Sequence, residues 1–162
     1  MTPTYNIEIL RVESAEDIAA VKTVFLEYLA FVEDYLGQSL GFQGTQTEFA
    51  DFPQTYDGLF LAKINDVPMA ACGIKPFKRG ICELKRLYCR PDGRGHGLGY
   101  KVTRAAMVFA KEFGYKEIYL DTDHGLIHAN SVYERLRFKD IEKYYDNPMD
   151  SRFMARSLQD YT

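Results

Sequence analysis

Residues 82–100 read "CELKRLYCRPDGRGHGLGY", and two features of this stretch decide the fold. The first is a break in alternation. Apolar side chains fall at Cys82 and Leu84, then at Leu87 and Cys89. A strand repeats every two residues, so a continuous strand would turn the second pair to the opposite face. One extra residue restores the face, which predicts a β-bulge near Lys85–Arg86. A bulge splays a strand from its neighbour and leaves backbone N–H and C=O groups available to an extended ligand. The second feature is glycine at 93, 95, 97 and 99, between that strand and a helical pattern beginning at Gly97. Bare backbone at a helix N-terminus holds phosphate, and Arg94 adds a charge-assisted contact. The spacing excludes two common phosphate loops. A dinucleotide G-x-G-x-x-G begun at Gly93, Gly95 or Gly97 meets Leu98, Tyr100 or Val102 at its sixth position, and no Gly-Lys-Ser/Thr follows.

Outward from this stretch, the pattern predicts alternating elements. Residues 5–12 alternate as a strand. Ser14 starts a helix whose apolar set is Ile18, Val21, Phe25, Leu29 and Val32. A loop is expected over 36–46 and a short helix over 47–52. Strands follow at 59–64, 68–77 and 81–90, then a helix over 97–113 with Val102, Ala105, Ala106, Phe109 and Phe113 inward and Gly114 as its stop. A strand at 117–123, a helix at 127–136 and strands at 138–145 and 152–158 complete the chain. The expected fold is α/β: a single domain over 1–162 with a mixed, mainly antiparallel sheet of about seven strands flanked by helices.

R-x-x-G-x-G at Arg94, Gly97 and Gly99, set between a bulged strand and a helix, resembles the pyrophosphate loop of the GNAT superfamily of acetyl-CoA-dependent N-acetyltransferases. "CELKRLYCRPDGRGHGLG" is similar to that family's whole fourth strand and loop, in the branch reading E-L/M-K-R-L-Y-V-R-P. "ANSVYERLRF" (129–138) resembles the A-x-x-L-Y-x-x-x-G-F helix end, with Arg137 where the family has glycine, and "YYDNP" (144–148) recurs in the same branch. The resemblance implies acetyl-CoA as co-substrate, its pantetheine paired with backbone at Leu87, Tyr88 and Cys89. The pyrophosphate would sit on the N–H groups of Arg94, Gly95, His96, Gly97, Leu98, Gly99 and Tyr100, with His96 and Leu98 as spacers. Asn130 would contact the pantetheine arm. Glu83 matches the family's general base and Tyr133 its acid. Acceptor contacts are expected from Tyr28, Phe42, Gln43 and Tyr145.

The chemistry asks for such a pair. An alkylammonium has a pKa near 10.4, so at pH 7 about one molecule in 2,500 is neutral, and removing its proton is worth about 4.6 kcal/mol. A carboxylate supplies that base. The departing thiolate needs a proton, and a phenol carries one at neutral pH. The expected reaction is acetyl transfer to an amine by direct attack in a ternary complex. A non-catalytic acyl-CoA sensor on the same fold is the alternative.

Composition sets the frame. The 162 residues carry a net charge of −3, with residues 1–66 at −8 and 67–162 at +5. An acidic front half favours a cationic amine acceptor, and the absence of a basic stripe speaks against nucleic acid. No apolar run is long enough for a membrane span, and no signal-peptide pattern opens the chain, so a cytoplasmic protein is expected. Cys72, Cys82 and Cys89 lack CxxC spacing and are expected to be small core residues; His124 and His128 lack the surroundings of a metal site. Exposed strand edges and 12 Tyr with 11 Phe make a homodimer an open expectation.

Overall fold

A computed structural model describes residues 4–37, 49–146 and 151–161. Residues 38–46 of the loop expected over 36–46, Phe42 and Gln43 among them, and the first part of the short helix expected over 47–52 lie outside the described residues. The elements run β1 (Ile7–Arg11), α1 (Ala15–Leu36), β2 (Gly58–Ile64), β3 (Val67–Lys78), β4 (Ile81–Cys89), a 3-10 turn (Pro91–Gly93), α2 (Leu98–Phe113), β5 (Glu117–Asp123), α3 (Ile127–Arg135), β6 (Lys139–Asp140) and β7 (Ser151–Ser157). Among the described residues the sheet has seven strands in the order β1-β2-β3-β4-β5-β7-β6. Only β4 and β5 run parallel; every other neighbouring pair is antiparallel.

The two long helices cover opposite faces of this sheet. Ser14 caps α1, its side chain accepting the Asp17 N–H at 3.1 Å, and Glu16 and Asp17 complement the positive end of the helix dipole. Val21, Val24 and Phe25 of α1 bury against Leu59, Leu61 and Ala71. Leu98, Val102, Ala106, Met107 and Ala110 of α2 bury against Phe60, Ala62, Cys72, Ile74, Cys82, Leu84 and Leu87. The inward stripe of α2 therefore steps by four from Leu98, and Phe113, expected inside, is exposed and stacks on Tyr115. Cys72 and Cys82 are core residues as expected, and Cys89 is partly buried. Among the described residues no helix is long and apolar enough to cross a membrane.

The bulge lies at the expected place, directly after Lys85. Gly73 pairs with Lys85 and Ala71 with Tyr88, so Cys72 alone stands opposite Arg86 and Leu87. Arg86 takes the extra position in the left-handed region, at φ 63°. Cys82, Leu84 and Leu87 thereby keep to the α2 face, while Glu83, Lys85, Arg86 and Tyr88 keep to the α1 face. β4 and β5 pair only from Ile81–Glu117 to Glu83–Tyr119, then part.

One further departure concerns the C-terminal part. The strand expected over 138–145 is confined to Lys139–Asp140. Beyond it the chain leaves the sheet, because Tyr144 and Tyr145 turn their hydroxyls to carboxylates on β4 and β5. Arg137 does occupy a left-handed helix stop, at φ 67°. Its N–H donates to the Glu134 carbonyl and the Phe138 N–H to the Tyr133 carbonyl, each at 3.0 Å, the two bonds of a Schellman motif. A side chain in this conformation costs about 1 kcal/mol relative to glycine. Arg137→Gly is accordingly expected to raise the melting temperature by about 2–4 °C in a circular dichroism melt. An unchanged or lower value would mean that the Arg137 side chain contributes contacts worth as much as its strain.

Candidate active site

The glycine loop is anchored before it is opened. The Arg90 N–H donates to the Met69 carbonyl at 2.7 Å, and its guanidinium forks onto Glu27 of α1, with Nε at 2.7 Å from Oε1. That hydrogen bond holds the Glu27 carboxyl below its usual pKa. Gly93 serves packing, since a Cβ there would stand 2.7 Å from Met69 Cβ. Gly95 and Gly97 have φ of 90° and 70°, and a Cβ on either would meet nothing within 4 Å. Gly97 is the N-cap of α2 and offers no side chain to it; the first bond within the helix runs from the Lys101 N–H to the Gly97 carbonyl at 3.0 Å. The N–H groups of Leu98, Gly99 and Tyr100 precede that bond, and no acidic side chain lies in the first turn. The result is an open, electropositive strip of backbone.

The side chains along the strip divide their tasks. Leu98 is inserted in the core and fixes the start of α2, while the His96 ring meets the Tyr5 ring edge-on with centroids 4.6 Å apart. Arg94 is exposed, its Nε 3.4 Å from the Cys89 carbonyl. Tyr100 lies under the Arg135 guanidinium at 4.5 Å. Upstream, Tyr88 and Cys89 pair with Ala71 and Ala70 of β3, but after Glu83 no described strand pairs with β4 on its β5 side. The Leu87 side chain is core, so what this segment presents to the gap is its backbone.

Across the gap stand Asn130 and Tyr133, one helical turn apart on α3. Asn130 Nδ2 donates to the carbonyls of Asp123 and His124 at 3.0 and 3.3 Å. Its Oδ1 is buried and has no hydrogen-bond partner. Tyr133 is 6% exposed and packs on Phe138. Burial holds its phenol well above the usual pKa, with Tyr28, Cys72 and Asp121 adding to the effect.

On the α1 face, Glu83 belongs to a network. The Tyr144 hydroxyl donates to Glu83 Oε2 at 2.8 Å, and Lys85 Nζ lies 3.8 Å from that same oxygen. Lys85 Nζ is also 3.7 Å from Asp121 Oδ1, and the Tyr145 hydroxyl donates to Asp121 Oδ2 at 2.7 Å. The Glu83 and Asp121 side chains are only 13% and 10% exposed. Of the expected acceptor residues, Tyr145 thus joins the network through Asp121. Tyr28, on α1, faces Tyr88 at 5.8 Å and feels the charges of Asp121, Asp123 and Arg86. Sequence reasoning passed over Lys85, Asp121 and Tyr144. In "EIYLDTD" the buried residues are Ile118, Leu120 and Thr122, which sends Tyr119, Asp121 and Asp123 to the other face. That alternation was a signal for Asp121 once Glu83 is known to pair with Tyr119.

The phenols around the site make an expectation about alkaline pH. Burial, the largest cause, raises the pKa of Tyr28, Tyr133 and Tyr144 above the usual value of about 10; nearby carboxylates add to it, and at Tyr28 the Arg86 charge opposes it. The unfolded chain therefore loses these protons first. Stability is fully kept below about pH 10 and falls as pH rises beyond it, because the folded state binds more protons there. Chemical denaturation from pH 8 to 11 should show a decline that starts near pH 10, with phenolate absorbance of the buried rings appearing only on unfolding. Phenolate appearing in the folded state near pH 10 would contradict the burial effect.

Comparisons with known proteins agree on one lineage. Residues 42–138 match the acetyltransferase (GNAT) family. An uncharacterized N-acetyltransferase of Schizosaccharomyces pombe is 32% identical over 150 residues, which cover 89% of this chain and 90% of that protein. A GNAT-family acetyltransferase structure from Staphylococcus aureus Mu50 superposes with a TM-score of 0.76 at 19% identity, covering 95% of this chain and 100% of the other. A Salmonella typhimurium protein described as an acetyltransferase, solved with its cofactor acetyl-CoA, superposes with a TM-score of 0.66 at 14% identity, covering 96% and 95%. At these identities the structural likeness is one of fold.

Proposed function

Because this chain belongs to the acetyltransferase (GNAT) family and is an acyltransferase, we propose that it transfers an acetyl group from acetyl-CoA to a cationic amine by direct attack in a ternary complex. The observation that carries this reading is the parting of β4 and β5 directly after Glu83 and Tyr119. The gap so formed has a carboxylate at its start, a buried phenol across it and an uncapped helix N-terminus at its end.

The residues present fit acetyl-CoA. The N–H groups from Arg94 to Tyr100 suit its pyrophosphate, and Gly95 and Gly97 leave the room for it. The open edge of Leu87, Tyr88 and Cys89 suits an amide-bearing arm added like a strand. Asn130 Oδ1, buried without a partner, suits an amide N–H of that arm. When bound, acetyl-CoA supplies the acetyl group as an activated thioester. Glu83 takes the proton of the acceptor ammonium: its two contacts both fall on Oε2, leaving Oε1 for the proton. Tyr133 holds a proton for the departing sulfur, and its raised pKa keeps that proton in place at neutral pH.

The test is acetyl-CoA-dependent thiol release against a panel of monoamines, diamines, amino acids and peptide amines, with the acetylated product identified by mass. Release with some of these amines supports the reading. Acetyl-CoA binding without release for any of them would sink it.

A further inference from the structure

Resting on that acetyl-transfer reading, we infer that Tyr144 is a positioning residue for Glu83: its hydroxyl fixes one carboxylate oxygen so that the other faces the acceptor nitrogen. The stretch "YYDNP" (144–148) begins with two adjacent tyrosines, and their hydroxyls go to two different carboxylates. Tyr144 donates to Glu83 Oε2 on β4 at 2.8 Å, and Tyr145 donates to Asp121 Oδ2 on β5 at 2.7 Å. Glu83 pairs with Tyr119 at the last rung between these strands, and Asp121 lies two residues beyond Tyr119. The two hydroxyls therefore meet one carboxylate on each side of the place where β4 and β5 part.

Tyr144 is the fixed member of its pair. Its ring centroid lies 5.0 Å from that of Phe77 on β3, 5.2 Å from Tyr119 on β5, 5.1 Å from Phe153 on β7 and 5.6 Å from Tyr145. Rings from three strands thus set where the hydroxyl stands, and a packed ring has little freedom to follow a moving carboxylate. Glu83 has more torsions and yields to it. Lys85 cannot hold the carboxylate in that way. Its Nζ is 3.8 Å from Glu83 Oε2, longer than a hydrogen bond, and it is shared with Asp121 at 3.7 Å. The ammonium supplies charge, whereas the phenol supplies direction. Burial, with the Glu83 charge next, holds the Tyr144 phenol far above its usual pKa, so it remains a donor. Without that hydroxyl, the Glu83 carboxylate can rotate toward the ammonium and take both oxygens with it. With it, Glu83 takes the acceptor's proton on Oε1: the N–H bond breaks, the O–H bond forms, and the nitrogen keeps the electron pair for its attack. Oε2 holds the Tyr144 bond before and after the transfer, so the site has nothing to rearrange.

The test is a double-mutant cycle on Tyr144→Phe and Glu83→Gln, measured with acetyl-CoA and whichever amine of the panel is acetylated fastest. Tyr144→Phe keeps the ring and its neighbours, so the fold and the calorimetric affinity for CoA should be retained. In the wild-type background kcat should fall by about 10- to 100-fold, the cost of a misplaced reacting group, with KM for the amine within about threefold. In the Glu83→Gln background there is no base left to aim, and the same change should cost less than about twofold. A kcat for Tyr144→Phe within about threefold of the wild type overturns the inference. So does a loss confined to KM or to CoA affinity, or an equal loss of kcat in both backgrounds, which would make Tyr144 a packing residue only. In each of those cases turnover by the wild type leaves the acetyl-transfer reading in place. No acetylation of any amine by the wild type would remove that reading and the inference with it.

Discussion

Tyr133→Phe is expected to lower kcat by about 10²- to 10⁴-fold, the usual contribution of a positioned general acid. The change deletes one oxygen from a buried ring that packs on Phe138, so folding and acetyl-CoA affinity should both survive. The defect should also be level between pH 7 and 9. The phenol keeps its proton throughout that range, since burial holds its pKa well above 10. Single-turnover thiol release, with acetyl-CoA affinity measured separately, checks this. A kcat within about threefold of the wild type would assign the proton donor elsewhere.

Glu83→Gln should cost a similar factor at pH 7, with the opposite pH signature. The amide can still receive the Tyr144 hydroxyl that Glu83 Oε2 receives, so the geometry should hold while the base is lost. The variant then depends on acceptor that has already shed its proton. That fraction is about one in 2,500 at pH 7 and grows about tenfold per pH unit. Measured from pH 7 to 9, the gap between variant and wild type should narrow by about that factor per unit. A gap that stays constant would make Glu83 a structural partner of Tyr144 and Lys85 rather than the base. The two substitutions thus separate the two proton transfers by pH dependence alone.

The large elements were legible because each has a local period. The strands alternate, the helices step by three and four, and Ser14 and Gly114 mark helix ends by their own chemistry. The bulge was legible as a change of parity between Leu84 and Leu87. Its place was legible to within two residues; the choice between Lys85 and Arg86, both polar, is made by β3, through the pairing of Gly73 with Lys85. The same limit hid half of the site. Glu83, Tyr133 and the glycine loop lie in contiguous motifs. Asp121 enters only through the pairing of β4 with β5, a contact between residues far apart in the chain. Tyr144 and Tyr145 read as the end of an alternating strand, yet they leave the sheet to meet carboxylates that no local pattern could announce. Leu98 was read as a spacer, while its side chain anchors α2 in the core.

The bulge also makes chain length, as distinct from residue identity, a functional variable in β4. Deleting Arg86 would bring the strand back into simple alternation and exchange its two sides from residue 87 onward. Leu87 would turn out of the α2 core and Tyr88 into it, and the pairing of Tyr88 with Ala71 would slip by one position. Every side chain in the segment could be kept and the strand would still lose both its packing and its chemistry. Insertions and deletions, usually harmless in a connecting loop, are here equivalent to replacing several residues at once.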